Sequence, residues 1–124
     1  MERIKIEGTK KTPNVLFDGN KGVFKIKGVA IHESPKEFFD ELIAGVEDYK
    51  REPVEVLNVS FELEYFNTPT ARMILSLLQK LKEVKCEVTW IYEFGDEDML
   101  EAGEDFEDML KPIRFKFEEK PEES

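Results

Sequence analysis

Hydrophobic and polar residues change period at one joint near the middle of the chain. From Leu57 to Tyr65 they alternate, with Leu57, Val59, Phe61, Leu63 and Tyr65 on one side and Asn58, Ser60, Glu62 and Glu64 on the other, the pattern of a strand with one buried face. Beyond the joint, Ile74, Leu77, Leu78, Leu81 and Val84 keep helical spacing and leave Arg72, Gln79, Lys80 and Lys82 for water. Between them lies Tyr65-Phe66-Asn67-Thr68-Pro69-Thr70, so a strand runs directly into a helix N-terminus with hydroxyls in the turn.

The same reading extends to the rest of the chain. Three short strands come first: around Ile4 and Ile6, over Asn14 to Phe17, and around Phe24 and Ile26. Asp18-Gly19-Asn20 is expected to turn the second into the third, because Gly and Asn accept positive φ. Ser34-Pro35-Lys36-Glu37 predicts a helix start, with Ser34 as N-cap, Pro35 at the first helical position and Glu37 closing a capping box. That helix runs to about Lys50 and turns Phe38, Phe39, Leu42, Ile43 and Val46 inward. After the joint and its helix, Cys86, Val88, Trp90 and Tyr92 alternate as a strand. A third helix follows from Asp96 to Leu110, with Met99, Leu100, Phe106, Met109 and Leu110 as its apolar line. Pro112 closes it, a last strand carries Ile113, Phe115 and Phe117, and residues 120–124 read as a frayed tail.

Nearly every strand alternates, whereas strands covered on both faces read as continuous apolar runs, so one sheet face is expected to be open to water. The order βββαβαβαβ then implies a single α/β domain over residues 1–124, with a mixed sheet whose later strands are parallel and whose helices pack mainly on one face.

Charge narrows the partners. The formal charge of −10 disfavours nucleic acid and anionic membrane. It is unevenly placed: Glu93 to Leu110 holds nine acids and no Lys or Arg, whereas Met1 to Lys27 holds seven basic residues against three acids. One cysteine, no stretch of membrane-spanning length and a charged start without an apolar core fit a soluble, cytoplasmic protein.

Thr68 admits two compatible readings. As a structural residue it is an N-cap, with Pro69 at the first helical position, where a missing N–H costs nothing. As a functional residue it is a phosphorylation site: free N–H groups and the helix dipole would stabilise a phosphate, and Arg72 one turn on could pair with it. Thr70 is the second choice of acceptor. In the acidic run, Asp96 and Asp98 are followed by Leu100 and Glu101 where a calcium loop needs a ligand and a glycine, so the spacing fits a solvated acidic helix face or a docking surface for a basic partner. Gly103 inside that helix costs about 1 kcal/mol relative to Ala, which implies close packing there. His32 is the only histidine, Cys86 begins a strand, and no nucleophile-elbow, P-loop or zinc-helix motif occurs, so the sequence argues against an enzyme and calls for no cofactor and no metal.

Taken together, Ile6-Glu7-Gly8-Thr9 with Thr12-Pro13, Leu63-Glu64-Tyr65-Phe66-Asn67-Thr68, and Trp90-Ile91-Tyr92-Glu93 followed by Asp96 to Asp105 resemble the SiaC family of bacterial regulatory phosphoproteins. The resemblance spans nearly the whole chain. It implies a fold similar to STAS domains and a partner-switching cycle, in which a dedicated kinase phosphorylates the threonine of the Asn-Thr turn and a PP2C-type phosphatase removes the phosphate. It also implies that the unmodified form binds and activates a diguanylate cyclase, with an anti-sigma-like or other signalling protein as the alternative partner. Carried onto this chain, the acceptor is Thr68. The residues themselves, independently of the family, suggest partner contacts at Asn67, Thr68, Pro69, Thr70 and Arg72 of the joint and at Asp96, Asp98, Glu101, Glu104 and Asp105 of the acidic helix. Two positions depart from the family pattern: Pro69 follows the acceptor where a serine is usual, and Gly95 stands where an acid is common. Two rivals stand beside this reading. One is a constitutive adaptor binding through its acidic helix or open sheet face; the other is a divalent-metal protein using Asp96, Asp98, Glu101 and Asp105.

Overall fold

The structure is a computed structural model that describes residues 1–122. Its elements are β1 (Ile4–Ile6), β2 (Asn14–Asp18), β3 (Val23–Ala30), α1 (Lys36–Tyr49), β4 (Leu57–Phe66), α2 (Thr68–Leu81), β5 (Cys86–Tyr92), α3 (Glu97–Met109) and β6 (Arg114–Glu119). The six strands form one sheet in chain order; β1, β2 and β3 pair antiparallel, and β3, β4, β5 and β6 pair parallel. The expected mixed sheet is therefore present, and each parallel step is bridged by one helix.

The alternation that predicts the strands also sets the layers. Phe24, Ile26, Val59, Phe61, Val88 and Trp90 face the helices and are buried. Phe17 and Phe24, paired across β2 and β3, stack with centroids 4.1 Å apart. On the other face one register row runs Lys5, Leu16, Lys25, Ser60, Thr89 and Lys116, mostly polar and uncovered. One helix layer against one sheet face follows from that pattern. Among the described residues, no helix is long and apolar enough to cross a membrane.

Gly103 is where the structure gives the clearest account of an odd residue. It is buried on Trp90, and a Cβ there would stand 2.5 Å from the indole Cδ1. The indole N–H donates to the Met99 carbonyl at 2.9 Å, so the helix is both pressed onto the ring and tied to it.

Several local expectations need correction. The β2–β3 turn spans residues 19–22, with Asp18 Oδ1 accepting the amides of Asn20 and Lys21; the positive φ falls on Gly22, not on Gly19 or Asn20. Ser34 does not cap α1, because the helix begins one residue later than expected, at Lys36, and Pro35 takes the cap position in a helical conformation with no side-chain cap bond; the Ser34 amide, which Glu37 would accept in a capping box, donates to His32 Nδ1 at 2.9 Å. The capping box with Glu37 therefore does not form. On α3 the buried line is Met99, Gly103, Phe106 and Leu110; Leu100 and Met109 sit roughly a quarter turn to either side, which leaves Leu100 half-buried and Met109 56% exposed. The tail expected to fray from Lys120 is held at its first residue. Lys120 continues the ladder by donating its amide to the Tyr92 carbonyl, and its Nζ reaches Glu62; residues 123 and 124 lie outside those described.

Candidate functional site

The joint between β4 and α2 is shaped by an extra residue. Gly28 of β3 pairs with Leu63, but Val29 pairs with Tyr65, so Glu64 is a bulge and the phase of β4 reverses. Tyr65, expected on the buried side with Leu63, instead lies 61% exposed on the open sheet face. Phe66 takes the inward place, with its ring 6.3 Å from both Trp90 and Phe106. Gly28, the β3 residue at the register shift, has φ 129°, a conformation that favours glycine.

Phe66 thus fixes the residue that opens the helix, and that residue is Asn67. Its backbone is extended, its Oδ1 accepts the Thr70 amide at 3.1 Å, and its carbonyl accepts the Ala71 amide at 2.9 Å. Its own amide donates to Ala30 and its Nδ2 to the His32 carbonyl. The cap is therefore Asn67, correcting the assignment to Thr68. Asn is among the best N-caps, and its side chain reaches the third helical amide as caps do. Thr68 becomes the first helical residue and Pro69 the second, both exposed.

The two candidate hydroxyls have opposite surroundings. Thr68 Oγ1 makes no hydrogen bond among the described residues and faces solvent. Thr70 is 1% exposed, its Oγ1 has no hydrogen-bond partner among the described residues, and it borders a cavity of about 10 Å3 shared with Lys11, Thr12, Pro13, His32 and Phe38. Arg72, one turn past Thr68, is exposed and makes no ion pair among the described residues.

The loop that carries the first sequence motif closes beside this turn. Thr9 Oγ1 accepts the amides of Lys11 and Thr12, Asn14 Oδ1 accepts that of Gly8, and Lys11 offers its carbonyl to Ile31. These bonds shape the loop whose Thr12 and Pro13 line the same small cavity as Thr70.

The acidic helix is a neighbouring element, linked to the joint through the Phe66–Phe106 contact. Asp96 caps it by accepting the Met99 amide at 3.1 Å, and is half-buried. Asp98, Glu101, Glu104 and Asp105 are exposed. The structure thus brings Asn67 to Arg72 together in one turn and sets the acids on a separate surface beside it. Among the described residues, no three His, Cys, Asp or Glu side chains gather as a metal-binding group. Cys86 has its thiol pushed up to about 11 by burial, with Sγ–H directed at the Leu81 carbonyl, which suits an unreactive side chain.

Sequence reasoning missed two exposed aromatics, Tyr65 and Phe94, at the end of the sheet where the parallel strands finish. Gly28 inside a strand is the available signal for the first, since such a glycine marks a bulge. Asn67, three residues before the amide it caps, was equally legible.

Comparison with known proteins agrees with this geometry. Residues 6–120 match the family described as SiaC family regulatory phosphoprotein. An uncharacterized protein of Pseudomonas aeruginosa (strain UCBPP-PA14) is 26% identical over 111 residues, covering 86% of this chain and 88% of the relative. The solved structure of SiaC of Pseudomonas aeruginosa superposes with a TM-score of 0.87 at 23% identity, covering 97% of this chain and all of that one. SiaC in the crystal structure of the diguanylate cyclase SiaD with its activator SiaC, from the same organism, gives 0.86 at 24% identity, covering 94% and 99%. At these identities the superpositions establish the fold.

Proposed function

The chain belongs to the SiaC family of regulatory phosphoproteins, and on that premise we propose that it is a non-enzymatic switch whose phospho-acceptor is Thr68. In its unmodified state it binds and regulates a diguanylate cyclase in the cytoplasm. The observation that carries the choice of acceptor is the contrast between the two hydroxyls of the turn: Thr68 is exposed and makes no hydrogen bond among the described residues, whereas Thr70 is buried. A kinase needs the hydroxyl in reach without unfolding the helix. A cyclase as target is supported by the solved complex, in which SiaC of Pseudomonas aeruginosa is the activator of SiaD. A dedicated kinase and a PP2C-type phosphatase complete the cycle.

Phosphate on Thr68 adds about −1.5 to −2 charge at the exposed end of a turn whose Glu64 and Tyr65 are also exposed. A partner seated over Tyr65 would have to desolvate that charge, which favours release on phosphorylation.

The test is phosphosite mapping on protein isolated from its native cells, combined with recovery of the cyclase by Thr68→Ala and Thr68→Asp variants. Thr68 modified, and cyclase held by Ala but not by Asp, is expected. Equal recovery by both would sink the switch. If binding then disappears on reversing Glu104 and Asp105, the constitutive adaptor is the better description.

A further inference from the structure

The helix end at Thr68 is short of donors. An α-helix opens with backbone N–H groups that have no intrahelical partner, and phosphates held at helix starts are held by those groups. Here the Asn67 amide is spent on the Ala30 carbonyl at 3.3 Å, Pro69 has none, and the Thr70 amide is taken by Asn67 Oδ1 at 3.1 Å. The next, from Ala71, already closes the first helical bond at 2.9 Å. Among the described residues, only the amide of Thr68 itself is left without an acceptor. Arg72 is the only cation in the first three turns of α2, lies four residues on and therefore on the same face, and makes no ion pair among the described residues.

We propose that a phosphate on Thr68 is not drawn into its own helix end but stands out from it, held within the chain by Arg72, so that modification changes what a docking partner meets and leaves the turn as it is. This rests on Thr68 being the modified residue. Pro69 enforces the arrangement: another residue there would restore an N–H at the second helical position, pointing out of the helix end beside the phosphate. The switch then works on the partner, by charge and desolvation at the contact, and not by rebuilding α2.

Phosphothreonine encoded at position 68, followed by phosphorus NMR titration with amide detection of the turn, reads this without a kinase or a partner. The phosphate should titrate near its ordinary value of about 6. Arg72→Gln should raise that value by a few tenths of a pH unit. Pro69→Ala should lower it by about half a unit, with the new amide proton moving downfield as the phosphate ionises. The Thr70 and Ala71 amides should not follow the titration. A wild-type phosphate depressed by about a unit with the Thr70 amide moving in step would overturn the proposal, as would an Arg72→Gln variant titrating like wild type. Because the phosphate is installed during synthesis, the result is independent of whether cells modify Thr68, which phosphosite mapping decides.

Discussion

The ring of Phe66 stands nearly perpendicular to that of Trp90, at an interplanar angle of 87° and a centroid distance of 6.3 Å. The contact exists because Glu64 is an extra residue in β4, which turns Phe66 inward and Tyr65 outward. Strict alternation from Leu57 would bury Tyr65 and expose Phe66. The two alternatives predict opposite costs. Phe66→Ala should destabilise the fold by about 2 kcal/mol, less than the 3–5 of a fully buried Phe because Phe66 is half-buried. Tyr65→Ala should stay within about 0.5 kcal/mol, as exposed substitutions do. Urea unfolding of both variants measures the difference, and a costlier Tyr65→Ala would remove the bulge from the account.

Gly103→Ala tests the seat of α3 on Trp90. At an ordinary helical position the change to Ala gains about 1 kcal/mol. Here the added methyl would lie 2.5 Å from Cδ1 and 2.6 Å from Nε1 of the indole, and the ring is itself packed by Phe61, Phe66 and Phe106. Overpacking of this kind costs about 1–3 kcal/mol, so the net effect should be destabilising. Chemical denaturation gives the sign, and tryptophan emission should shift to the red as the indole loses its bond to the Met99 carbonyl.

Asn67 and Thr68 separate cap from acceptor. Asn67→Ala removes the oxygen that accepts the Thr70 amide and should cost about 1 kcal/mol. Thr68→Ala removes an exposed hydroxyl without a hydrogen bond and should cost less than about 0.5 kcal/mol. Thermal unfolding of the two variants decides between them; a larger loss from Thr68→Ala would return the capping role to Thr68. The same comparison tells whether Thr68 variants in a binding assay report on the partner or on a weakened helix.

The layers of the fold were legible because period-2 alternation in five of the strands and period-3.6 stripes in the helices all call for the same single covered sheet face. Gly103 was legible for a related reason: a glycine in a helix needs a close neighbour to justify it. The joint was less so. A bulge is set by the pairing of Gly28 and Val29 with a strand more than thirty residues away, which the local pattern of β4 does not contain. The cap at α1 failed likewise, because the Ser34 amide is claimed by a ring at His32 and not by anything in the helix. Thr68 itself was found by motif, whereas its exposure and the burial of Thr70 depend on the phase of α2 against the loop of Thr12 and Pro13.

The surface network that joins α1 to α2 gives the pH dependence. Lys50 reaches Glu83 at 2.6 Å and Glu47 at 3.5 Å, and Lys80 reaches Glu47 at 3.0 Å and Glu83 at 3.2 Å, so each charge has two opposite neighbours. The hydrogen bond from Lys80 and the charge of Lys50 hold the Glu47 carboxyl below its ordinary value of 4.5; the Lys50 and Lys80 ammonium groups do the same to Glu83. Their hydrogen bonds to these carboxylates raise both lysines above 10.5. Depressed carboxylates contribute stability that is present above their unfolded values and lost as pH falls through the folded ones. Raised lysines contribute stability that is present below their unfolded values and lost as pH rises through the folded ones. The melting temperature should therefore drop below about pH 4.5 and again above about pH 10.5. A Lys50→Gln, Lys80→Gln double variant should show a shallower fall on the acid side than the wild type, and 0.5 M salt should narrow the difference, since every member of the network is solvent-accessible. Calorimetric melts of both proteins from pH 3 to 7 at low and high salt measure this, and parallel acid limbs would show that the network adds nothing to the contact between the two helices.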